Sequence, residues 1–262
     1  MTSNSLQYGN FPDFIPDGEG GGFFTWYGVN PLQCYATNVS SNGIKWFAGE
    51  VQVASSVGST QRVQPVAVVD GNEYVVFFRS LDNSQNNDGL GSQRFTANGG
   101  LMWGNAGIEL KPTSSSPQYG SLATSLTNEG AVLAFTQSPS FGNDVINATS
   151  IDQDGLPTWA PNFVSIASTP SSKSRIATAT PGDGIVLAWQ DDRDGGNDIY
   201  GQRVNNDGSL GASSTCLADI DSDGSVGVSD LLRIIDAWGD CGIFVCDEDL
   251  DGDEFVGVSD LL

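Results

Sequence analysis

The sequence predicts an all-β repeat region, β-propeller-like and built from four four-stranded units of about 55 residues, followed by a small acidic unit of loops and helix. Three observations predict it. An apolar run with a central aromatic returns four times, at Trp26, Phe78, Phe135 and Trp189. A tight-turn dipeptide follows each run, at Asn42-Gly43, Asn98-Gly99, Asp154-Gly155 and Asp207-Gly208. Acidic residues then crowd the end of the chain, where the last 47 residues hold 13 Asp or Glu and one base, Arg233.

The repeats are taken as about 17–60, 61–115, 116–170 and 171–212. Each opens on a polar, glycine-bearing turn and continues into a β-branched or aromatic run: "DGEGGGFFTWYG", "DGNEYVVFFRS", "TNEGAVLAFTQ" and "PGDGIVLAWQD". Asn-Gly and Asp-Gly accept the positive φ of hairpin turns. In the first three repeats a tryptophan follows the turn, at Trp46, Trp103 and Trp159. In the second repeat the four strands are read as "VQPVAVVD", "EYVVFF", "GSQRFTA" and "LMWGNAGIEL". One four-stranded sheet cannot bury itself, so the faces of each unit must pack on its neighbours. A tandem array of β-sandwiches is the rival arrangement, but ~55 residues is short for a sandwich.

The segment "VLAWQDDRDGGNDIYGQRVNNDGSL" (186–210) resembles repeats of secreted bacterial propeller-like proteins. That resemblance concerns architecture only. The stretch "SIDQDGLPTW" (150–159) resembles the Asp-box of sialidases but misses its spacing, and reads as a hairpin with a core tryptophan. Asp191, Asp192, Arg193, Asp194 and Asp198 cluster in one loop. Either they form a calcium or sugar site, or they form a solvated hairpin with a local Arg–Asp pair.

The chain contains no histidine, which removes Ser–His and Cys–His nucleophile pairs and imidazole metal ligands. Its net charge of −22 disfavours nucleic acid and anionic membranes and favours cations and basic partners. No segment has the roughly 20 apolar residues of a membrane span. The glutamates (Glu19, Glu50, Glu73, Glu109, Glu129) nominate no pair of the kind a glycosidase needs. No catalytic residue is therefore named.

Residues 219–232, "DIDSDGSVGVSDLL", return as 249–262, "DLDGDEFVGVSDLL". Numbered from Asp219, acids stand at 1, 3, 5 and 12: Asp219, Asp221, Asp223 and Asp230. Gly224 stands at position 6, and the Ser225 carbonyl serves position 7. This is the EF-hand pattern for Ca²⁺, a hard ion taking 6–8 oxygen ligands. The second copy supplies Asp249, Asp251, Asp253 and Asp260, with the Phe255 carbonyl at position 7. It carries Glu254 where glycine is expected, so a strained backbone and a weaker site are predicted there. After the first loop, Leu231, Ile234, Ile235 and Trp238 form one apolar helix face ending at Gly239. No entering helix precedes either loop.

Two such half-hands, with Cys216-x-Ala218-Asp219-x-Asp221 before the first loop and Ala237-Trp238-Gly239-x-Cys241 after its helix, resemble a type I dockerin domain. The resemblance covers 216–262. It implies a calcium-dependent plug for a cohesin-like partner, with Val228, Ser229, Val258 and Ser259 helping to select that partner. Ordinary helix-start packing is the alternative role for those four. The second helix stops at Leu262, so this module is expected to be incomplete at its C-terminal side.

Cys216, Cys241 and Cys246 leave their disulfide pairing open, and Cys34 is expected to be a buried free thiol. Three cysteines in the acidic tail suggest an oxidising compartment. The opening "MTSNSLQYGN" has no signal-peptide pattern, so a secreted or cell-surface protein is expected to be represented here by a fragment. The expected function is a non-catalytic surface or scaffold protein, with repeats that bind polysaccharide or protein and an anchoring tail. The alternative is a polysaccharide-degrading O-glycosyl hydrolase or lyase carrying a dockerin.

Overall fold

The computed structural model describes residues 13–30, 32–46, 49–54, 60–140, 142–181, 184–211, 220, 227–241, 246, 248–250 and 253–261. The chain divides into two compact units, Met1–Leu210 and Gly211–Leu262.

The first unit is a four-blade, propeller-type arrangement of antiparallel sheets. Blade 1 is β1 (Asp13–Pro16), β2 (Gly22–Tyr27), β3 (Cys34–Val39) and β4 (Val51–Gln52). Blade 2 is β5 (Gln61–Asp70), β6 (Glu73–Leu81), β7 (Asp88–Phe95) and β8 (Ile108–Ser114). Blade 3 is β9 (Gln118–Leu126), β10 (Ala131–Ser138), β11 (Asp144–Ile151) and β12 (Val164–Ser171). Blade 4 is β13 (Lys173–Ala179), β14 (Gly184–Asp191) and β15 (Asp198–Asn205), closed by a single bridge between Val204 and Leu210. Every sheet is an up-and-down meander in chain order.

The apolar runs are continuous because both faces of each inner blade are covered. In β10, Ala131, Leu133 and Phe135 join the core shared with blade 2, while Val132 and Ala134 join the core shared with blade 4. β6 divides the same way, with Val75 and Phe77 facing blade 3 and Tyr74, Val76 and Phe78 facing blade 1. The period of two along a strand thus serves two interfaces at once. β14 has one such core, through Ile185, Leu187 and Trp189, and leaves Val186 exposed on its other face.

The two sequence markers meet across the blade boundaries. Trp46 donates its indole N–H to the Ala97 carbonyl at 2.8 Å, Trp103 to Gln153 at 3.1 Å, and Trp159 to Asn206 at 2.7 Å. Each acceptor is the residue just before the Asx-Gly pair of the next blade. Gly99, Gly155 and Gly208 have φ of +85°, +80° and +82°, and a Cβ there would fall 2.6, 3.3 and 2.7 Å from the incoming indole. The glycine is required twice, by the turn and by the ring packed on it.

Two expectations are corrected here. The fourth strand of the second repeat does not run through Leu101–Leu110. Leu101 makes one bridge to Phe95, Trp103 reaches over to blade 3, and Gly104 and Gly107 at positive φ delay the strand to Ile108–Ser114. Blade 1 begins at Asp13, ahead of residue 17, because Asp13–Pro16 pairs with Gly22–Thr25.

The second unit contains α1 (Val228–Asp236), β16 (Gly239–Asp240) paired with β17 (Phe255–Val256), and a 3-10 turn at Ser259–Leu261. Cys241 and Cys246 form a disulfide. Cys34 is a buried free thiol in blade 1. Of the predicted helix face only Ile234 is buried, whereas Leu231, Ile235 and Trp238 are exposed.

Candidate functional site

The propeller unit carries a cavity of about 690 Å³ where blades 2, 3 and 4 present their loop ends. Ser115, Ser116, Gln118, Ser138, Ser140 and Ser172 supply polar walls, and Asp144 and Asp192 supply carboxylates. The topology explains the grouping. The β8–β9, β10–β11, β12–β13 and β14–β15 connections all emerge at one end of the strands.

Both carboxylates are held. Asp144, at the start of β11, accepts the Ser138 hydroxyl and the Lys173 backbone N–H, the latter at 3.1 Å. Asp192 accepts the Ser172 N–H at 2.7 Å. Asp88 occupies the same strand position in blade 2, where it pairs with Arg79 at 2.6 Å and accepts the Tyr119 N–H of blade 3 at 2.6 Å. An aspartate opening the third strand therefore pins the next blade in blades 2 and 3.

Behind the cavity lies a charged group that the sequence reading had placed in solvent or on a metal. Asp191 is fully buried. It accepts the Trp189 indole N–H at 3.0 Å, the Ser171 hydroxyl and a two-pronged contact from Arg193, with the buried Lys173 ammonium at 3.4 Å. Burial by itself pushes this carboxyl up, but the bonds from Arg193, Ser171 and Trp189 outweigh it and hold Asp191 well below the ordinary carboxylate range. Asp192, Asp194 and Asp198 are exposed and Arg193 pairs locally with Asp191, as the solvated-hairpin reading has it, but Asp191 itself is buried because Lys173 and Ser171 arrive from the preceding blade junction, which local sequence does not display. Tyr200, hydrogen-bonded to Asp194 and under the Arg193 guanidinium, has its phenol pushed up to about 12, chiefly by the Asp194 bond.

In the second unit, Asp219, Asp221, Asp223, Ser225 and Asp251 lie outside the described residues. The rest of the predicted set is placed. Asp249 accepts the N–H groups of Asp253 at 3.2 Å and Glu254 at 2.9 Å, and Asp253 accepts that of Phe255 at 2.9 Å. Asp260 is buried and accepts the N–H groups of Leu250 at 2.8 Å and Gly257 at 2.7 Å. Asp230 is buried and accepts the Gly227 N–H at 2.7 Å. The bond from loop position 9 to loop position 12 is thus identical in the two copies. Glu254 stands at φ +70°, the left-handed turn that position 6 requires. Val228, Ser229, Val258 and Ser259 are all exposed. Among the described residues, no three His, Cys, Asp or Glu side chains converge as a metal cluster. In the second loop the chain curls by its own N–H groups onto Asp249, with Asp249, Asp253 and Asp260 at positions 1, 5 and 12.

No protein-family model matches the chain, and no curated protein matches it. Among solved structures, it is similar to an α-L-arabinofuranosidase from Lactobacillus brevis at 11% identity, with a TM-score of 0.48 over 76% of this chain and 68% of that one. An endo-arabinase from Bacteroides thetaiotaomicron aligns at 14% identity and TM-score 0.45 over 78% and 79%. A puromycin hydrolase aligns at 14% and 0.49 over 78% of this chain but 31% of its own. None of these proteins' activities passes to this chain at such identities.

Proposed function

We propose that the chain is a carbohydrate-associated propeller protein of the cell surface or surroundings, whose C-terminal unit binds Ca²⁺ and docks to a cohesin-like partner. The observation that carries this reading is the repeated position-9 to position-12 bond, 2.7 Å at both Asp230 and Asp260, at the mouth of two loops with the same acid spacing. A bound Ca²⁺ would supply a charge on which the loop acids converge, fixing the start of the following helix. Asp219, Asp221, Asp223 and Asp230 would hold one ion, and Asp249, Asp251, Asp253 and Asp260 the other, with the Ser225 and Phe255 carbonyls. The exposed Val228, Ser229, Val258 and Ser259 suit partner contact.

The test is calorimetric titration of Ca²⁺ into the full chain, repeated with Asp230→Asn and Asp260→Asn, then capture by cohesin-like domains with Ca²⁺ or chelator. Saturable heat lost in the variants, with chelator-sensitive capture, supports the reading. No heat at millimolar Ca²⁺ rejects it.

A second reading makes the propeller a glycoside hydrolase or lyase acting on polysaccharide. The serine-lined cavity favours it, because its walls include two carboxylates, Asp144 and Asp192, the residue type that glycosidic cleavage uses in pairs. Reducing-sugar release from a panel of polysaccharides tests it. Activity abolished by Asp192→Asn supports catalysis, and none from the intact chain on any polymer leaves binding alone.

A further inference from the structure

Arg62, near the start of β5, is 5% exposed and lines a second cavity of about 290 Å³ in the propeller unit. Its guanidinium has almost nothing to hold. One terminal nitrogen lies 3.5 Å from Gln33 Oε1, the Phe78 ring centroid is 5.7 Å from Cζ, and Nε has no partner among the described residues. The other buried or half-buried cations are served differently. Arg79 pairs with Asp88, Arg94 with Asp70 and Glu73, and Arg193 and Lys173 with Asp191, while the half-buried Lys111 lies over the Phe163 ring and Arg203 bonds to Asn205. Among the described residues no carboxylate pairs with Arg62, and none of the undescribed residues among the first 180 is acidic.

This is a costly arrangement in a chain with 32 acids. An ion removed from water without a partner loses several kcal/mol. Lysine could shed its proton, but arginine stays charged in proteins. Burial depresses the Arg62 guanidinium, and the neighbouring Cys34 thiol opposes that shift. No described residue supplies the missing counter-charge, and a bound anion is the candidate for it.

The shape narrows the class. A guanidinium presents a planar fork that matches a carboxylate or phosphate with two parallel bonds. Phe78 gives the cavity an apolar floor, and Ser80 and Thr113 add hydroxyls. Glu109 is the other charged residue lining it, and is exposed. With that carboxylate nearby and a net charge of −22, a dianion is disfavoured against a monoanion. We propose that Arg62 forms a specificity site for the carboxylate of an acidic sugar, a uronic acid residue, held by the guanidinium fork over the Phe78 ring. The choice of a sugar acid rests on the carbohydrate-associated reading above, while the guanidinium site itself depends on neither the serine-lined cavity nor the calcium loops.

The full chain is titrated with galacturonate, galactose and inorganic phosphate, with heat and thermal midpoint as readouts. Galacturonate binds and raises the midpoint, and galactose does neither. Arg62→Met weakens galacturonate roughly 10- to 150-fold, the range of a charged hydrogen bond. Its ligand-free midpoint stays equal or rises, because an unpaired buried charge has gone. Should Arg62→Met fail to fold, Ser80→Leu decides, since it fills the cavity and leaves Arg62 in place. Equal binding of galactose and galacturonate, a response to phosphate alone, or undiminished galacturonate binding in either variant overturns the proposal.

Discussion

Replacing Gly99 and Gly43 separately by alanine measures what the tryptophan contact between blades is worth. Both glycines sit in Asn-Gly turns, at φ +85° and +75°. Each alanine therefore meets the same backbone strain, about 1–2 kcal/mol for an L-residue in the left-handed region. Their surroundings differ. A Cβ at Gly43 meets nothing within 4 Å, while one at Gly99 lies 2.6 Å from Trp46 Cε3 and 2.8 Å from Cδ2. Trp46 is buried and held by its bond to Ala97, so it has little room to retreat. Overpacking of this kind adds about 1–3 kcal/mol, and a disturbed indole bond about 1 kcal/mol more. Gly99→Ala should thus exceed Gly43→Ala by roughly 2–4 kcal/mol, or several degrees in thermal midpoint for a unit of this size. The measurement is urea unfolding followed by far-UV circular dichroism, with both substitutions repeated in a Trp46→Ala background. There the excess should vanish. Equal losses at the two glycines, or an excess that survives without Trp46, would refute the latch.

Glu254→Gly should tighten Ca²⁺ at the second loop about fivefold, by relieving roughly 1 kcal/mol of left-handed strain at φ +70°; calorimetry on the full chain reads it. Asp191 is held below the ordinary carboxylate range, so its ionised form adds stability above about pH 4, and that contribution is lost as the pH falls further. Asp191→Asn should lower stability at pH 7 by about 3–5 kcal/mol, since Lys173 and Arg193 lose their partner, and should flatten the fall below pH 4 in acid unfolding curves. Asp194→Asn should bring the Tyr200 phenol down from about 12 toward its ordinary value, visible in an ultraviolet titration.

Much of the first unit could be read from spacing alone, because each blade repeats its own turn and its own buried strand. "AVLAFTQ" and "VVFF" read as buried strands since both of their faces enter cores. The contact that joins the blades was hidden for a specific reason. Trp46 and Ala97 are 51 residues apart, and a repeat alignment sets equivalent positions beside each other rather than bonded ones. The same alignment misplaced β8, since Trp103 looked like a strand residue when it is a side chain spanning a gap. Asp191 was misjudged because five charged residues in eight positions look like surface, while the groups that bury it come from another strand. Arg62 gave no local signal at all. An arginine in "TQRVQPV" looks like an ordinary strand-start residue, and only the absence of a partner in three dimensions marks it. In the second unit the left-handed Glu254 matches the strain inferred from its position.

The latches also run one way. Each tryptophan of blades 1, 2 and 3 reaches forward to the turn of the following blade, so blades 2 and 3 both receive and donate. Blade 4 receives Trp159 but carries the exposed Leu210 near the position where a tryptophan would stand, and blade 1 has open space against Gly43. The aspartate pins repeat this polarity, with Asp88 holding β9 and Asp144 holding β13. Polar bonds and apolar cores therefore link each blade to its neighbours in sequence, as in a linear array whose stability is a sum over adjacent pairs. The inner blades gain from two interfaces, and β6 and β10 bury both of their faces for that reason. Both cavities lie along this gradient, the carboxylate pair where blades 2, 3 and 4 meet and Arg62 on the face that blade 2 turns toward blade 1. In the second cavity Phe78 and Ser80 stand on β6, a strand whose two faces both enter cores, so their positions are fixed before any ligand arrives.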